Sequence, residues 1–165
     1  MIRVIVDDLA ALAVDAVVRP ADASLDPVTA AASRIDGLAG DRFAVQRRIS
    51  MPLEAGAAVV TGSGELAADY VVHAVILDAN APVGRDVVRR ALISAWQRAS
   101  DWGLATLAAP LVGAGAGQLS VEESATLLAE TFPRHGAAGC PAELRIVVAG
   151  EAEREVVEAI VRRMT

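Results

Sequence analysis

The sequence predicts a three-layer α/β/α sandwich around a central mixed sheet. Three observations lead there. Tyr70–Leu77 (Y-V-V-H-A-V-I-L) is almost continuously apolar, as a strand covered on both faces must be. Asp86–Asp101 places Val87, Val88, Ala91, Leu92, Ala95, Trp96 and Ala99 at the 3,4 spacing of a helix with one buried face. Beyond it, strand and helix patterns alternate to the end of the chain, which implies parallel crossovers.

The elements follow in order. Ile2–Val6 is a short β-branched strand, ended by Asp7 and Asp8, and Leu9–Leu12 is a brief helical turn. Val14–Arg19 reads as a second strand, closed by Pro20. Asp26 before Pro27 has the form of an N-cap and first helical residue, starting a helix that runs to about Ile35 with breaks at Gly37 and Gly40. Asp41–Arg48 is a surface helix or turn, and Gly56–Gly62 a third strand. After Tyr70–Leu77, the loop Asn80–Gly84 and the long helix, Leu104–Ala109 forms the fifth strand. Val121–Phe132 is a helix stopped by Pro133, Glu143–Ala149 the last strand, and Glu151–Met164 a final helix whose terminal charges suit its dipole. No repeat or linker interrupts this pattern, so residues 1–165 are expected to form a single domain.

Composition narrows the function. Hydrophobic residues make up 54% of the chain and aromatics only 3%, so the core is aliphatic and the chain is not disordered. A formal net charge of −6 argues against general nucleic-acid binding, which needs clustered Lys and Arg. Lone Cys140 excludes an internal disulfide and a cysteine metal cluster, and neither His73 nor His135 has a partner at metal-ligand spacing. No metal or cofactor is expected. The chain opens on a strand rather than a charged leader and has no membrane-length apolar run, so the expected location is the cytoplasm, away from membranes.

The chemistry concentrates at Leu107–Ser120 (L-A-A-P-L-V-G-A-G-A-G-Q-L-S). A strand runs into Gly113, Gly115 and Gly117, where backbone amides can approach a ligand closely, and a helix N-terminus follows. Together they make a phosphate cradle; the plainer alternative is a connector that binds nothing. The string is not G-x-G-x-x-G, and no Lys-Ser/Thr follows it as in a P-loop. Asp8, Asp22 and Gly113–Gly117 all fall just after strands, where ligands bind open α/β sheets, and are expected to share one mouth.

At this point the chain resembles the macro domain, an ADP-ribose-binding α/β/α module, over nearly its whole length. The family's opening strand and G-D-[IL]-T correspond to Val6-Asp7-Asp8-Leu9-Ala10, and its V-D-A-I-V-N-A-A-N to Val14–Asp22 (V-D-A-V-V-R-P-A-D). Gly56–Thr61 and Tyr70–Val75 are similar to G-E-A-V-I-T and Y-V-I-H-x-V, and Pro110–Ser120 to P-x-[LI]-G-T-G-V-x-G-[LY]-P. The resemblance implies ADP-ribose or a related nucleotide as ligand. It places Asp8, with neighbouring Leu9, at the adenine, Asp22 at a ribose, and Gly113, Ala114, Gly115, Ala116 and Gly117 around the phosphates. Asp8 and Asp22 also read simply as turn acids, and His73, mid-strand among apolar residues, reads as a hydrogen-bonded core histidine.

The departures bear on catalysis. Counted without gaps from Asp22 to Gly40, the family's first glycine run falls on Pro27-Val28-Thr29-Ala30, and its V-D on Ala31-Ala32. The ribose-facing Asn is Asp22, the glycines are gone, and the acid of hydrolytic members is Ala32. Pro27 removes a donor, and Asp26 as a cap would occupy helix amides that a phosphate wants. The expected function is therefore a binding module with no catalytic residues and no efficient hydrolase activity. The alternatives are an ADP-ribosyl or O-acetyl-ADP-ribose hydrolase with an atypical site, and a structural or homo-oligomeric protein that has lost the ligand.

Overall fold

The computed structural model describes residues 1–114, 118–134 and 139–165. Its strands are β1 (Ile2–Val6), β2 (Ala16–Asp22), β3 (Ala58–Gly62), β4 (Tyr70–Leu77), β5 (Thr106–Ala109) and β6 (Glu143–Val148). They form a six-stranded sheet in the order β1-β6-β5-β2-β4-β3. Among the strand pairings of the described residues, only that of β3 with β4 is antiparallel. The helices are α1 (Ala30–Ala39), α2 (Asp41–Gln46), α3 (Arg85–Asp101), α4 (Val121–Thr131) and α5 (Glu151–Met164), with a 3-10 turn at Leu9–Ala11. Among the described residues no helix is long and apolar enough to cross a membrane.

Side chains alternate across each strand and so feed two cores. Ala16 and Val18 of β2, with Val72, Ala74 and Ile76 of β4, pack against α3, α4 and α5. Val17 and Val71 point the other way, onto Leu9 of the 3-10 turn, Ile35 of α1 and Phe43 of α2. The buried residues of α3 are the seven that its periodicity picks out. This is the expected mixed sheet between helical layers.

Several boundaries differ from the sequence reading, each for a local reason. Pro20 does not end β2; it continues the strand, opposite Ala74 of β4. Pairing of β2 with β5 is limited to Ala16 and Val17, so Pro20 sits where the strand has an unpaired side and the missing N–H breaks no ladder there. β5 starts at Thr106 rather than Leu104, because the Asp15 carboxylate accepts from the amides of Ala105 (2.7 Å) and Thr106 (3.0 Å). Asp26-Pro27 does not start α1. The N-cap is Thr29, whose hydroxyl accepts from the Ala32 amide at 3.1 Å. Pro27 instead bridges Ala21, while the Asp26 carbonyl accepts from the Asp22 amide. α1 runs through Gly37 and ends at Gly40, whose positive φ of 83° turns the chain directly into α2.

A charged group fixes α1 to the sheet. Arg19, on β2, is fully buried. Its Nε and Nη2 donate to the two carboxylate oxygens of Asp36 on α1, at 2.7 and 2.8 Å. Its Nη1 donates to the Leu25 carbonyl (2.8 Å) and to His73 Nδ1 (3.1 Å). Arginine has no acceptor, so Nδ1 of His73 must be the accepting nitrogen. The ring proton then sits on Nε2 and is donated to Thr61 Oγ1 at 2.8 Å, and the Thr61 hydroxyl donates onward to the Gly62 carbonyl. His73 is thus a hydrogen-bonded core histidine, stacked on Phe43. Burial, reinforced by the charges of Arg19 and Arg47, pushes it down to about 3.

Replacing Arg19 by Met keeps the bulk but removes both close hydrogen bonds to Asp36, leaving that carboxylate only Arg47 at 3.6 Å, and leaves the Leu25 carbonyl its Arg47 bond alone. The variant is expected to lose about 3 kcal/mol of stability in urea unfolding, and the double change Arg19→Met/Asp36→Leu to recover part of it. His73 generates a pH dependence with a definite sign. The unfolded ring takes up a proton near its ordinary value of 6.5, whereas the folded ring resists protonation down to about 3. Stability should therefore fall as pH drops through that window, at a limiting slope of about 1.4 kcal/mol per pH unit. Urea unfolding between pH 7 and 5 should show stability falling with a slope that steepens toward this limit in the wild type and not in His73→Gln.

Candidate functional site

A cleft of about 510 Å³ opens at the carboxyl ends of β1, β2, β5 and β6. Its floor is apolar, with Pro20, Pro110, Leu111, Val121 and Val148. Asp8 and Leu9 form one side, Ala114 belongs to the loop after β5, and Thr29, Ala30, Ala31 and Arg34 present one face of α1. The amides of Ala30 and Ala31 lie in the first helical turn, which has no intrahelical acceptors, and the Thr29 cap serves Ala32 instead. The N-terminal end of α1 therefore faces the cleft with its positive partial charge.

Among the described lining residues, the charged groups are Asp7, Asp8, Arg34 and Glu153. Asp7 accepts from the Asp8 amide at 2.7 Å, and Glu153 from the Ala149 amide at 3.2 Å. Arg34 grips Asp8 with both faces of its fork: Nε lies 2.9 Å from Oδ1 and 3.1 Å from Oδ2, and Nη2 donates to Oδ2. The Ala10 amide also donates to Asp8 Oδ1 at 3.3 Å, which makes Asp8 the cap of the 3-10 turn. The Arg34 hydrogen bonds hold the Asp8 carboxyl below the usual carboxylate range, with help from the Ala10 amide, and the same pairing raises Arg34.

Of the residues singled out in the sequence, Asp8, Leu9 and Ala114 meet in this cleft. Asp22 does not line it. Asp22 lines a neighbouring hollow with Leu53, Glu54, Asp78 and Asn80. Its Oδ1 accepts from the amides of Ser24 (2.8 Å) and Asp26 (3.0 Å), the local turn bonding typical of Asp. Asp78 in the same hollow accepts from the amides of Ala55, Asn80 and Ala81, which hold its carboxyl low. Gly113 has a φ of 90°, and a Cβ there would meet Leu119 Cδ1 at 2.7 Å and Val88 Cγ2 at 3.1 Å. Its lack of a side chain serves turn and packing together. Gly115, Ala116 and Gly117, like His135, lie outside the described residues.

The N-terminus of α4 is capped at one amide of its first turn, as α1 is, and Val121 and Glu122 have no intrahelical acceptor. Ser120 and Glu123 form a reciprocal capping box in which each side chain accepts from the other's amide. This accounts for Glu123, and the end of α1, expected to be blocked by Asp26, is open as well because Thr29 is its cap. The Asp26 carboxylate instead meets Arg47 at 3.1 Å. Arg34 escaped the sequence reading because its partner lies 26 residues away. The available signal was its spacing from Ala30, one helical turn along the same face.

The macro domain family model matches residues 18–128. An uncharacterized protein of Aeropyrum pernix is 29% identical over 143 residues, covering 82% of this chain and 76% of its own length. An uncharacterized protein of Mycobacterium tuberculosis is 26% identical over 128 residues. That match covers 78% of this chain but 36% of the mycobacterial protein, so the chain spans about a third of that relative. Among solved structures, the Trypanosoma brucei macrodomain in complex with ADP superposes with a TM-score of 0.82 at 21% identity, over 97% of this chain and 68% of that one. A variant of the Oceanobacillus iheyensis macrodomain with ADPR gives 0.79 at 17% identity, over 98% and 91%. The family model spans about two thirds of the chain and the fold agrees with it: the chain belongs to the macro domain family.

Proposed function

We propose that this chain is a binding module for ADP-ribose, or a related nucleotide or phosphate ligand, without efficient hydrolase activity. The observation that carries the reading is the opening of the Asp8 carboxylate and the N-terminal face of α1 onto one apolar cleft. An adenine ring has flat apolar faces for Pro110, Leu111 and Val148, and an amino group that donates to Asp8. A diphosphate has charge for the amides of Ala30 and Ala31 and for the loop Gly113–Gly117. Macrodomains of similar fold have been solved with ADP-ribose and ADP, which favours the same ligand class here. Asp22 enters only as an acceptor for a distal ribose hydroxyl through Oδ2, since Oδ1 serves two amides.

The case against hydrolysis rests on Ala32, a fully buried methyl where the resemblance expects an acid. The carboxylates of the cleft already have partners in Arg34 and in backbone amides. Purified protein is expected to release no more ADP-ribose from modified protein, and no more acetate from O-acetyl-ADP-ribose, than a loop-mutant control. Turnover at the level of an active macro domain contradicts this.

Titration calorimetry with ADP-ribose tests binding. The wild type should bind at micromolar affinity or weaker, about −8 kcal/mol at best. Ala30→Glu places a carboxylate in the first turn of α1, where an acid suits the helix dipole, so the fold should be retained. The same charge should weaken ADP-ribose binding by about tenfold or more through the loss of charge-assisted contacts. No heat from folded wild type, or unchanged affinity in Ala30→Glu, contradicts the assignment.

A further inference from the structure

The cleft holds one side-chain cation among its described lining residues, and that cation grips the acid expected at the base. Arg34 follows Ala30 by four residues and Ala31 by three, so all three share the α1 face that lines the cleft. A ligand reaching from Asp8 to the first turn of α1 must pass the guanidinium. Arg34 and Asp8 retain 58% and 35% side-chain exposure, so their pairing is screened and easily exchanged. A diphosphate offers the same fork geometry as a carboxylate with more charge.

We infer that Arg34 is a specificity-determining residue that changes partner when ligand binds, leaving Asp8 for a phosphate oxygen and freeing the Asp8 carboxylate for the amino group of the base. The inference rests on the nucleotide reading of this same cleft. Its consequence is selectivity for diphosphate-bearing nucleotides over nucleosides. A nucleoside meets a carboxylate whose two oxygens are already held by Arg34, and brings nothing to draw the guanidinium away. A nucleoside diphosphate supplies both the donor for Asp8 and the acceptor for Arg34, so recognition of base and phosphate becomes coupled.

The experiment measures ADP-ribose affinity by calorimetry and adenosine affinity by competition against it, at fixed ionic strength, for wild type, Arg34→Ala and Arg34→Lys. Arg34→Ala should weaken ADP-ribose binding by about tenfold, the loss of a bidentate charged contact, while adenosine binding is unchanged or strengthened because Asp8 is released. Arg34→Lys keeps the charge without the fork and should fall between the two. The ratio of the two affinities is the diagnostic, because general damage to the cleft weakens both ligands together. A ratio unchanged by Arg34→Ala overturns the inference and leaves the proposed function standing. Folded wild type that binds no ADP-ribose overturns the proposed function and this inference with it.

Discussion

Burying Arg19 imposes the constraint on which the site depends. A guanidinium on a central strand, with no exposure to water, must find its hydrogen-bond acceptors inside the protein. Asp36 supplies two and so ties α1 to β2; the Leu25 carbonyl supplies another and His73 the last. Leu25 holds a positive φ of 63°, unusual for a residue with a side chain, and its carbonyl also accepts from Arg47 at 3.1 Å. Through His73 and Thr61 the same network reaches β3. One charge thereby orients α1, the turn before it and two strands, and α1 carries a wall of the cleft.

This explains how the site can differ from the family pattern while the fold does not. The resemblance expects Asn at position 19 and a glycine run ahead of α1; the chain has Arg19 and Pro27-Val28-Thr29-Ala30. Without glycines the segment is held by side-chain chemistry: the Asp22 carboxylate closes the turn, Pro27 bridges Ala21, and Thr29 caps the helix. The first turn of α1 still arrives at the cleft with Ala30 and Ala31 facing it. The result retains an anion-facing helix end and has a methyl in place of an acid at Ala32.

Much of the fold was legible where one physical rule acted alone. The buried stripe of α3 and the apolar run of β4 match their predicted residues because periodicity reflects burial directly. The rest depended on partners distant in the chain. Pro20 reads locally as a stop and is tolerated only because β5 leaves that side of β2 open. Asp26-Pro27 has the local form of a helix start, yet Arg47 and Asp22 claim Asp26 and Thr29 does the capping. Asp22 is the last residue of β2 rather than a residue after the strand, and its own turn directs it to the adjoining hollow. Arg34 and Asp36 meet Asp8 and Arg19 only through the tertiary fold.

The central claim is that the cleft between Asp8 and the first turn of α1 is where the nucleotide sits. A crystal soaked with ADP-ribose tests it most directly. The account predicts the adenine amino group at the Asp8 carboxylate, the ring against Leu111 and Val148, and phosphate oxygens within hydrogen-bond reach of the Ala30 or Ala31 amide. Ligand density in the hollow between Asp22 and Asp78, with the Asp8 cleft empty, would contradict it.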